Sequence, residues 1–309
     1  RVDTYYTGDL KHQVIIPSRY QGVRFGVPGQ VTDDTEMTIA LIQALIENNG
    51  KYSPEIAVRH YQEWANSKPM GMGKNTRRLF HGVKTYRGYY QRYQKAKGYG
   101  DLDTTESNGS LMRCAPLALF VNPNDLETLR PGLDDTSLTN PCYLNQAITM
   151  LYLLLLAYAL RGDDATGLFN KLEEIITYDP DLHPEILVIL EDISSGQTRN
   201  VQGKGQGWVA HSFYAALYGL RCYQEKGSFK EALDKVIRLG GDTDTNGAIA
   251  GALLGAVAGY NQVEREEDDN LKILLGADSS QGDFPRPARY HPSSLDELIF
   301  QLVRLIGSS

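Results

Sequence analysis

Apolar residues recur every three or four positions along most of this chain, the spacing that places them on one face of an α-helix. The periodicity predicts about ten helices, at residues 34–49, 54–66, 75–97, 109–120, 144–160, 165–177, 184–194, 208–225, 229–239, 245–260 and 295–306. Ser53 and Pro54 are typical of a helix N-cap and first position. The alternation typical of strands is nearly absent, with residues 14–16 the one candidate. The sequence therefore predicts an all-α fold.

The segments between these helices indicate one domain with a site built on loops. Glycine and proline are frequent at residues 69–73, 201–207 and 276–287, which are interpreted as surface loops. No linker or low-complexity tract divides the 309 residues, so a single domain over residues 1–309 is expected. The apolar segment 147–160 is too short to cross a bilayer, and no secretory signal is visible.

Composition narrows the classes of partner. The formal charge of −7 and the pI near 5.4 argue against binding of a nucleic-acid backbone, and the basic, tyrosine-rich residues 84–97 are interpreted as a solvated helix face. We expect neither nucleic acid nor a membrane as a partner. The three cysteines lack metal-ligand spacing, which predicts no disulfide framework, no zinc site and a cytoplasmic location.

Two clusters of aspartate and threonine stand directly before apolar helical segments, Thr-Asp-Asp-Thr-Glu at residues 32–36 and Asp-Thr-Asp-Thr-Asn at residues 242–246. Carboxylate and hydroxyl oxygens suit Mg²⁺, Mn²⁺ or Ca²⁺, whereas zinc or copper calls for imidazole or thiolate. The second cluster begins like an EF-hand loop, but Leu253 stands where that loop needs a bidentate glutamate. The clusters therefore predict a hard-metal site at two helix starts.

Ordinary helix capping is the alternative for each cluster, since aspartate and threonine satisfy free amides at a helix start. One aspartate is sufficient for a cap, however, and two adjacent carboxylates repel each other. A shared divalent cation would remove that repulsion, which favours the metal interpretation when both clusters are considered.

Glycine recurs at four-residue spacing in the helix that follows the second cluster, at residues 247, 251, 255 and 259. Each interior glycine costs about 1 kcal/mol relative to alanine. The stripe predicts a close approach by a neighbouring helix, and it is also typical of close packing that has no chemical role.

Three segments together resemble the ADP-ribosylglycohydrolase family, which includes dinitrogenase reductase activating glycohydrolase and the ADP-ribosyl-acceptor hydrolases. They are Pro-Gly-Gln-Val-Thr-Asp-Asp-Thr-Glu-Met at 28–37, Ser-Asn-Gly-Ser-Leu-Met-Arg-Cys-Ala-Pro at 107–116, and Gly-Gly-Asp-Thr-Asp-Thr-Asn at 240–246. The resemblance covers nearly the whole chain. It implies a single compact multi-helix domain with a central binuclear cleft that holds two Mg²⁺ ions, with Mn²⁺ as the alternative metal.

The resemblance also implies roles for individual residues. The metal ligands would be Thr32, Asp33, Asp34, Asp242, Asp244 and Thr245, and the catalytic residues would be Asp33, Asp34 and Asp242. The ribose would lie at Asn108, Gly109 and Ser110, for which a helix cap and turn is the alternative, and the diphosphate near Gly71, Gly73, Asn75 and Thr76. Free helix amides at that last segment would receive anionic oxygens.

The chain departs from the family pattern at two places. The glycine-rich opening helix of the family, with its Gly-Asp-Ala-Leu-Gly motif and a following glutamate near the metals, would precede residue 1. Many members have Leu-Thr-His where this chain has Leu138-Thr139-Asn140. Asn140 can still donate a hydrogen bond to substrate, but it cannot titrate near neutral pH.

The expected reaction is metal-dependent hydrolysis of the glycosidic bond between ADP-ribose and a modified acceptor, with arginine in a protein as the expected acceptor. Asp33 or Asp242 would take a proton from the attacking water. The expected partners are an ADP-ribosylated protein or ADP-ribose. The sequence gives no prediction of the oligomeric state. Two other readings remain open at this point: a non-catalytic relative that serves as an immunity or crystallin-like protein, and, more weakly, a metal-dependent phosphohydrolase.

Overall fold

Helices make up nearly all regular structure in the computed structural model, which describes residues 29–102, 105–178, 182–281 and 284–306. The α-helices are α1 Asp33–Glu47, α2 Pro54–Ala65, α3 Lys74–Phe80, α4 Tyr86–Gly98, α5 Arg130–Ser137, α6 Tyr143–Ala159, α7 Ala165–Tyr178, α8 Pro184–Ser195, α9 Val209–Lys226, α10 Phe229–Arg238, α11 Thr243–Ala258, α12 Tyr260–Leu275 and α13 Leu295–Ile306. Within these described ranges there is no β-strand, only two isolated bridges. The predicted all-α fold is confirmed, and the candidate strand at residues 14–16 lies outside the described residues.

The described chain divides into two compact units. The first unit holds residues 29–102 and 267–306, and the second holds residues 105–266. Helix α12 has a kink at Glu267, whose backbone angles are not helical.

In the first unit, α1 and α2 pack through fully buried side chains that include Met37, Tyr61 and Trp64. Helix α2 begins as the sequence predicts, because Ser53 Oγ accepts a hydrogen bond of 3.4 Å from the Ile56 amide and Pro54 takes the first position. Helix α13 packs against α1 and buries Leu302. These contacts fix the start of α1, which carries the first aspartate cluster.

In the second unit, α6 is apolar on nearly all sides and lies in the core with α9 and α11. The Tyr152 hydroxyl of α6 donates a hydrogen bond of 2.9 Å to the Ile249 carbonyl of α11. None of the helices in the described ranges is long and apolar enough to cross a membrane. Contacts with α6 and α9 therefore hold α11, which carries the second aspartate cluster, in the core of this unit.

A neighbouring helix does approach α11 closely, but among the described residues the glycine stripe is not where it does so. A Cβ atom built at Gly247 or Gly251 would meet its nearest described neighbour at 4.0 or 3.9 Å, which is ordinary contact. The tight approach is instead on α9, where a Cβ at Gly219 would lie 2.8 Å from Val236 and 3.3 Å from Leu254.

Two predicted helices differ from the structure. Residues 75–97 form α3 and α4 rather than one helix, because Gly82 adopts a left-handed φ of 74° and Thr85 caps a new helix through the Gly88 amide. Residues 109–120 form two 3-10 turns, Leu111–Arg113 and Ala115–Phe120, since Pro116 supplies no amide hydrogen for a continuous α-helix.

Two helices were not predicted. Helix α5 contains proline, glycine and two aspartates, which are poor helix formers, and α12 is rich in charged residues and has no buried residue in the described chain. The apolar periodicity of these two segments is too weak to predict a helix.

Candidate active site

Asp242 is the N-cap residue of α11, and two glycines set its position. Gly240 and Gly241 both have left-handed φ angles, 76° and 74°. A Cβ atom at Gly241 would lie 2.3 Å from the Val201 carbonyl oxygen, so only glycine fits between this loop and the helix start. The Asp242 side chain makes no capping hydrogen bond to the helix.

The Asp242 carboxylate is instead engaged by a buried polar chain. Asn108 Nδ2 donates to Asp242 Oδ2 at 2.8 Å and to Ser212 Oγ at 3.0 Å. Ser212 Oγ in turn donates to Asn246 Oδ1 at 2.8 Å. Ser212 and Asn246 are fully buried, and Asn108 is 6% exposed. The structure thus brings the segments 107–116 and 240–246 together, as two parts of one polar cluster.

The segment before Asn108 is held in place by the loop that leads into α9. The Asn108 amide donates to the Gly207 carbonyl at 2.9 Å, and the Val209 amide donates to the Glu106 carbonyl at 2.8 Å. Trp208 Nε1 donates to Glu106 Oε2 at 2.7 Å. A Cβ atom at Gly207 would lie 3.4 Å from Asp242 Oδ2, so this loop, predicted only as surface, borders the carboxylate closely.

The first aspartate cluster forms the start of α1 in the other unit. Thr32 is the N-cap residue, but its side chain makes no capping hydrogen bond. Its hydroxyl donates to Asp34 Oδ2 at 2.9 Å, and Asp34 is buried while Asp33 is partly exposed. At both helix starts, the N-cap side chain is therefore used for something other than capping.

The match to known proteins decides the family. The profile of the family described as ADP-ribosylglycohydrolase matches residues 4–277, which is most of the chain. This chain belongs to the ADP-ribosylglycohydrolase family. The predicted family and its hydrolase class are thereby confirmed.

Two relatives and one solved structure agree with this family. The ADP-ribosyl-[dinitrogen reductase] glycohydrolase of Rhodospirillum rubrum is 27% identical over 268 residues, covering 81% of this chain and 82% of that protein. The ADP-ribosylarginine hydrolase Tri1 of Serratia proteamaculans is 25% identical, covering 79% of this chain and 64% of that protein. A solved ADP-ribosylglycohydrolase-related protein complex matches with a TM-score of 0.61 and 25% identity, covering 90% of this chain and 83% of that chain.

Glu36 has a structural task in this ADP-ribosylglycohydrolase-family protein. Arg286 donates to both of its carboxylate oxygens, at 2.7 and 2.9 Å, and Trp64 Nε1 donates to Oε2 at 2.7 Å. Arg286 also donates to the Ser67 carbonyl at 2.6 Å. Glu36 belongs to the same acidic cluster as Asp33 and Asp34 in the sequence. In the structure it differs from them because its carboxylate is bound by Arg286 and Trp64.

Other predicted site residues of this family member hold the loop at 105–110. Asn140 Nδ2 donates to the Thr105 carbonyl at 3.1 Å and to Ser107 at its carbonyl and hydroxyl, at 3.2 and 3.0 Å. Ser110 Oγ accepts from Asn145 at 3.3 Å, and the Gly109 carbonyl accepts from Arg113 at 2.9 Å. Their role in substrate binding stays a prediction.

A buried ion pair lies next to the loop at 105–110, because Arg113 bonds both to Asp135 and to the Gly109 carbonyl. Arg113 Nε donates to Asp135 Oδ2 at 2.8 Å, and both side chains are fully buried. The neighbouring Cys114 is buried as well, and burial raises the pKa of its thiol, with the Asp135 charge adding to the rise. A thiol that stays protonated is a poor nucleophile, so Cys114 belongs to the packing of this segment.

The remaining predicted residues lie at two helix starts. Gly71 and Gly73 lead into α3, a helix of seven residues in which Asn75 and Thr76 are buried. Asp244 is exposed and Thr245 is buried in the first turn of α11. Within neither unit do three described His, Cys, Asp or Glu side chains form a metal-binding group. The predicted binuclear cleft stays a prediction.

Ser212 and Asn246 are the site residues that sequence reasoning missed. Ser212 lies in the apolar pattern of α9 and has no motif around it. Asn246 was visible as the last residue of the second cluster, four positions after Asp242, which is the spacing that puts two side chains on one helix face.

Proposed function

We propose that this chain is a Mg²⁺-dependent hydrolase that cleaves the bond between C1″ of the proximal ribose of ADP-ribose and an arginine side chain of a modified protein. Family membership supplies the reaction class. The observation that carries the proposal is the Asn108–Asp242 hydrogen bond of 2.8 Å. An aspartate that only capped α11 would bind helix amides, whereas this carboxylate is oriented by a separate buried amide.

The metal part of the proposal rests on the donor set. We propose that Thr32, Asp33, Asp34, Asp242, Asp244 and Thr245 hold two Mg²⁺ ions. All of these offer carboxylate or hydroxyl oxygens, the ligands that hard cations prefer. The residues present fit such ions, because neither N-cap side chain, Thr32 nor Asp242, is consumed by capping. When bound, the two cations would supply Lewis-acid chemistry that stabilises developing negative charge on oxygen.

The chain's own residues would bind the substrate and move a proton. Asp33 or Asp242 would accept the proton of the attacking water, a task for a carboxylate within hydrogen-bond reach. The loop at Asn108, Gly109 and Ser110 would bind the ribose. Because Asn108 Nδ2 donates both to Asp242 and to Ser212, its Oδ1 is the side-chain atom proposed to accept from a ribose hydroxyl.

The rest of the ligand would extend to α3 and Asn140. The segment Gly71, Gly73, Asn75 and Thr76 would lie near the diphosphate, and Asn140 near the substrate. The arginine acceptor is supported by the name of the Serratia relative, and a protein partner by that of the Rhodospirillum relative. An intracellular ADP-ribosylated protein or free ADP-ribose is therefore the proposed partner.

One assay tests the proposal: release of ADP-ribose from arginine-linked and serine-linked peptides, each with and without a chelator. We expect faster release from the arginine-linked peptide and none after chelation. Faster release from the serine-linked peptide would contradict the acceptor, and release that persists after chelation would contradict the metal. Absence of release from both peptides with Mg²⁺ present would favour the non-catalytic alternative.

The metals themselves are testable by anomalous scattering from crystals soaked in Mn²⁺. Two peaks about 3.5–4 Å apart are expected, as in other two-metal sites, next to the named aspartates. A single peak elsewhere, or no peak, would contradict the proposed two-metal site.

A further inference from the structure

We propose that Ser212 and Asn246 are positioning residues that aim the amide of Asn108 at Asp242. This inference rests on the proposed function, in which Asp242 binds metal and takes part in catalysis. It assigns a role to two fully buried residues, Ser212 in α9, which lies outside the three motifs, and Asn246 in α11, the last residue of the motif at 240–246. They act through Asn108 and do not themselves touch the reacting atoms.

The geometry of an amide explains how Ser212 acts. The two hydrogens of a side-chain amide lie in one plane and point in fixed directions, so fixing one of them fixes the other. Ser212 Oγ accepts one hydrogen of Asn108 at 3.0 Å, which leaves the second directed at Asp242 Oδ2, at 2.8 Å. Without that acceptor, one amide hydrogen loses its partner, and the amide plane can rotate so that the other hydrogen no longer points directly at Asp242 Oδ2.

Asn246 sets the direction of the serine hydroxyl. A hydroxyl group carries one hydrogen, and that hydrogen must point away from any donor whose hydrogen bond the oxygen accepts. Ser212 gives its hydrogen to Asn246 Oδ1 at 2.8 Å, and its lone pairs therefore remain available to Asn108. The backbone amide of Asn246 donates to the backbone carbonyl of Asp242 at 2.9 Å. Asn246, which orients the serine hydroxyl, is therefore held in the same helical turn as Asp242, whose carboxylate accepts from Asn108.

The burial of this network argues that it serves orientation rather than stability. Among the described residues, Asn246 Nδ2 is buried without a hydrogen-bond partner. An unsatisfied buried donor destabilises a fold, and an apolar residue of similar shape avoids that cost. A network kept despite this cost is expected where one polar atom must be held in a fixed direction, as with the groups that orient metal-ligating carboxylates.

The experiment compares Ser212→Ala with Ser212→Thr, which keeps the hydroxyl, and with the control Thr149→Val. Thr149 is equally buried in the same unit, and its hydroxyl accepts from Thr136 at 3.0 Å, whereas the side-chain amide of Asn108 donates to Ser212 and Asp242. The readouts are Mn²⁺ binding by titration calorimetry, kcat and KM for an ADP-ribosyl-arginine peptide at saturating metal, and thermal unfolding.

We expect Ser212→Ala to weaken Mn²⁺ binding or lower kcat by about 10–100-fold, the usual effect of removing a group that orients a metal ligand. KM should rise as well, because rotation of the amide also moves Asn108 Oδ1, the atom proposed to accept from a ribose hydroxyl. Ser212→Thr should recover most of the loss, and Thr149→Val should match the loss of thermal stability without the loss of metal binding or kcat.

Two results would overturn the inference while leaving the proposed function standing. One is Mn²⁺ binding and kcat of Ser212→Ala equal to those of Thr149→Val, in an enzyme whose wild type binds Mn²⁺ and releases ADP-ribose. The other is a crystal structure of Ser212→Ala that keeps the Asn108–Asp242 hydrogen bond unchanged. If the wild type binds no Mn²⁺ and releases no ADP-ribose, the proposed function fails, and the same crystal structure alone decides whether Ser212 aims the amide.

Discussion

Arg286 donates hydrogen bonds to both carboxylate oxygens of Glu36, at 2.7 and 2.9 Å, although 250 positions separate the two residues in the sequence. The side chains are 1% and 3% exposed, and Trp64 adds a third donor. Glu36 lies two positions after Asp34, in the first turn of α1. The ion pair therefore fixes the helix start from which Asp33 and Asp34, two of the proposed metal ligands, project.

Replacing Glu36 by glutamine should destabilise the protein strongly. The change leaves the Arg286 guanidinium buried without its counter-ion, and breaking a buried pair in this way costs about 3–5 kcal/mol. Chemical denaturation would measure the loss. The matched control is Glu63→Gln, which removes the partner of Arg289 in a pair whose side chains are about 40% exposed, and which should cost at most about 1 kcal/mol. Equal losses for the two variants would show that the buried pair has no special weight.

Asp33→Ala and Asp242→Ala should each abolish release of ADP-ribose while leaving the fold intact. Asp33→Ala should change stability by less than about 1 kcal/mol, because the residue is partly exposed and the change relieves repulsion with Asp34. Asp242→Ala should cost about 1 kcal/mol, since Asn108 loses an acceptor. Activity assays at saturating Mg²⁺, with circular dichroism and thermal melts as controls, would measure both. A variant with near wild-type rates would contradict the catalytic roles.

Much of the helical framework could be predicted from the sequence, since each long apolar helix carries its own period and stop signals. The charged α12 and the proline-containing α5 could not, because their apolar residues follow no clear stripe. The single helix predicted over residues 75–97 shows the reverse error: periodicity continued across Gly82, where the backbone turns.

The candidate site was predictable only as far as its motifs. The family resemblance marked the segments around Asn108 and Asp242 as parts of the site, and the hydrogen bond between these two residues is an observation of the structure. Ser212 was not predictable, because a serine in an apolar helix is also typical of plain packing. Periodicity tells which face of a helix is buried, but not which polar atom that face will meet. The buried partners of Glu36, Arg286 and Trp64, were hidden for the same reason.

Two glycine substitutions should have opposite effects on stability. Gly241→Ala should destabilise the protein by more than about 1 kcal/mol, since its φ is 74° and the new Cβ would lie 2.3 Å from the Val201 carbonyl oxygen. Gly255→Ala should stabilise it by about 0.5–1 kcal/mol, because no described atom lies within 4 Å of the new Cβ in the interior of α11. Urea unfolding would measure both. Destabilisation by Gly255→Ala would revive the close-approach explanation of the stripe.

Stability should fall on mild acidification because of His60. Burial lowers the pKa of His60 below 6.5, and this outweighs the hydrogen bond of 3.0 Å with Glu47, which raises it. The native state therefore binds fewer protons than the unfolded chain as the pH falls below about 6.5. The contribution of neutral His60 is complete above that pH and is lost as the pH falls toward the folded pKa.

The His60→Gln variant isolates this effect. Unfolding free energies of wild type and variant should be compared from about pH 7.5 down to about pH 5, where Glu47, whose pKa is lowered chiefly by its hydrogen bond with His60, stays ionised. We expect the stability advantage of the wild type to shrink as the pH falls. A constant or growing advantage would mean that His60 becomes protonated in the native state without cost.

ADP-ribose should stabilise the fold only when Mg²⁺ is present. A ligand that binds the native state at 100 times its dissociation constant adds about 2.7 kcal/mol to the free energy of unfolding, which thermal melting detects. If Asp33, Asp34, Asp242 and Asp244 hold the metals and the metals hold the ribose hydroxyls, a chelator should remove most of that gain. ADP should stabilise much less, because it lacks the proximal ribose. Equal shifts with ADP and ADP-ribose, or a shift unchanged by chelation, would mean that binding does not depend on a metal-held ribose, and the non-catalytic alternative would then be preferred.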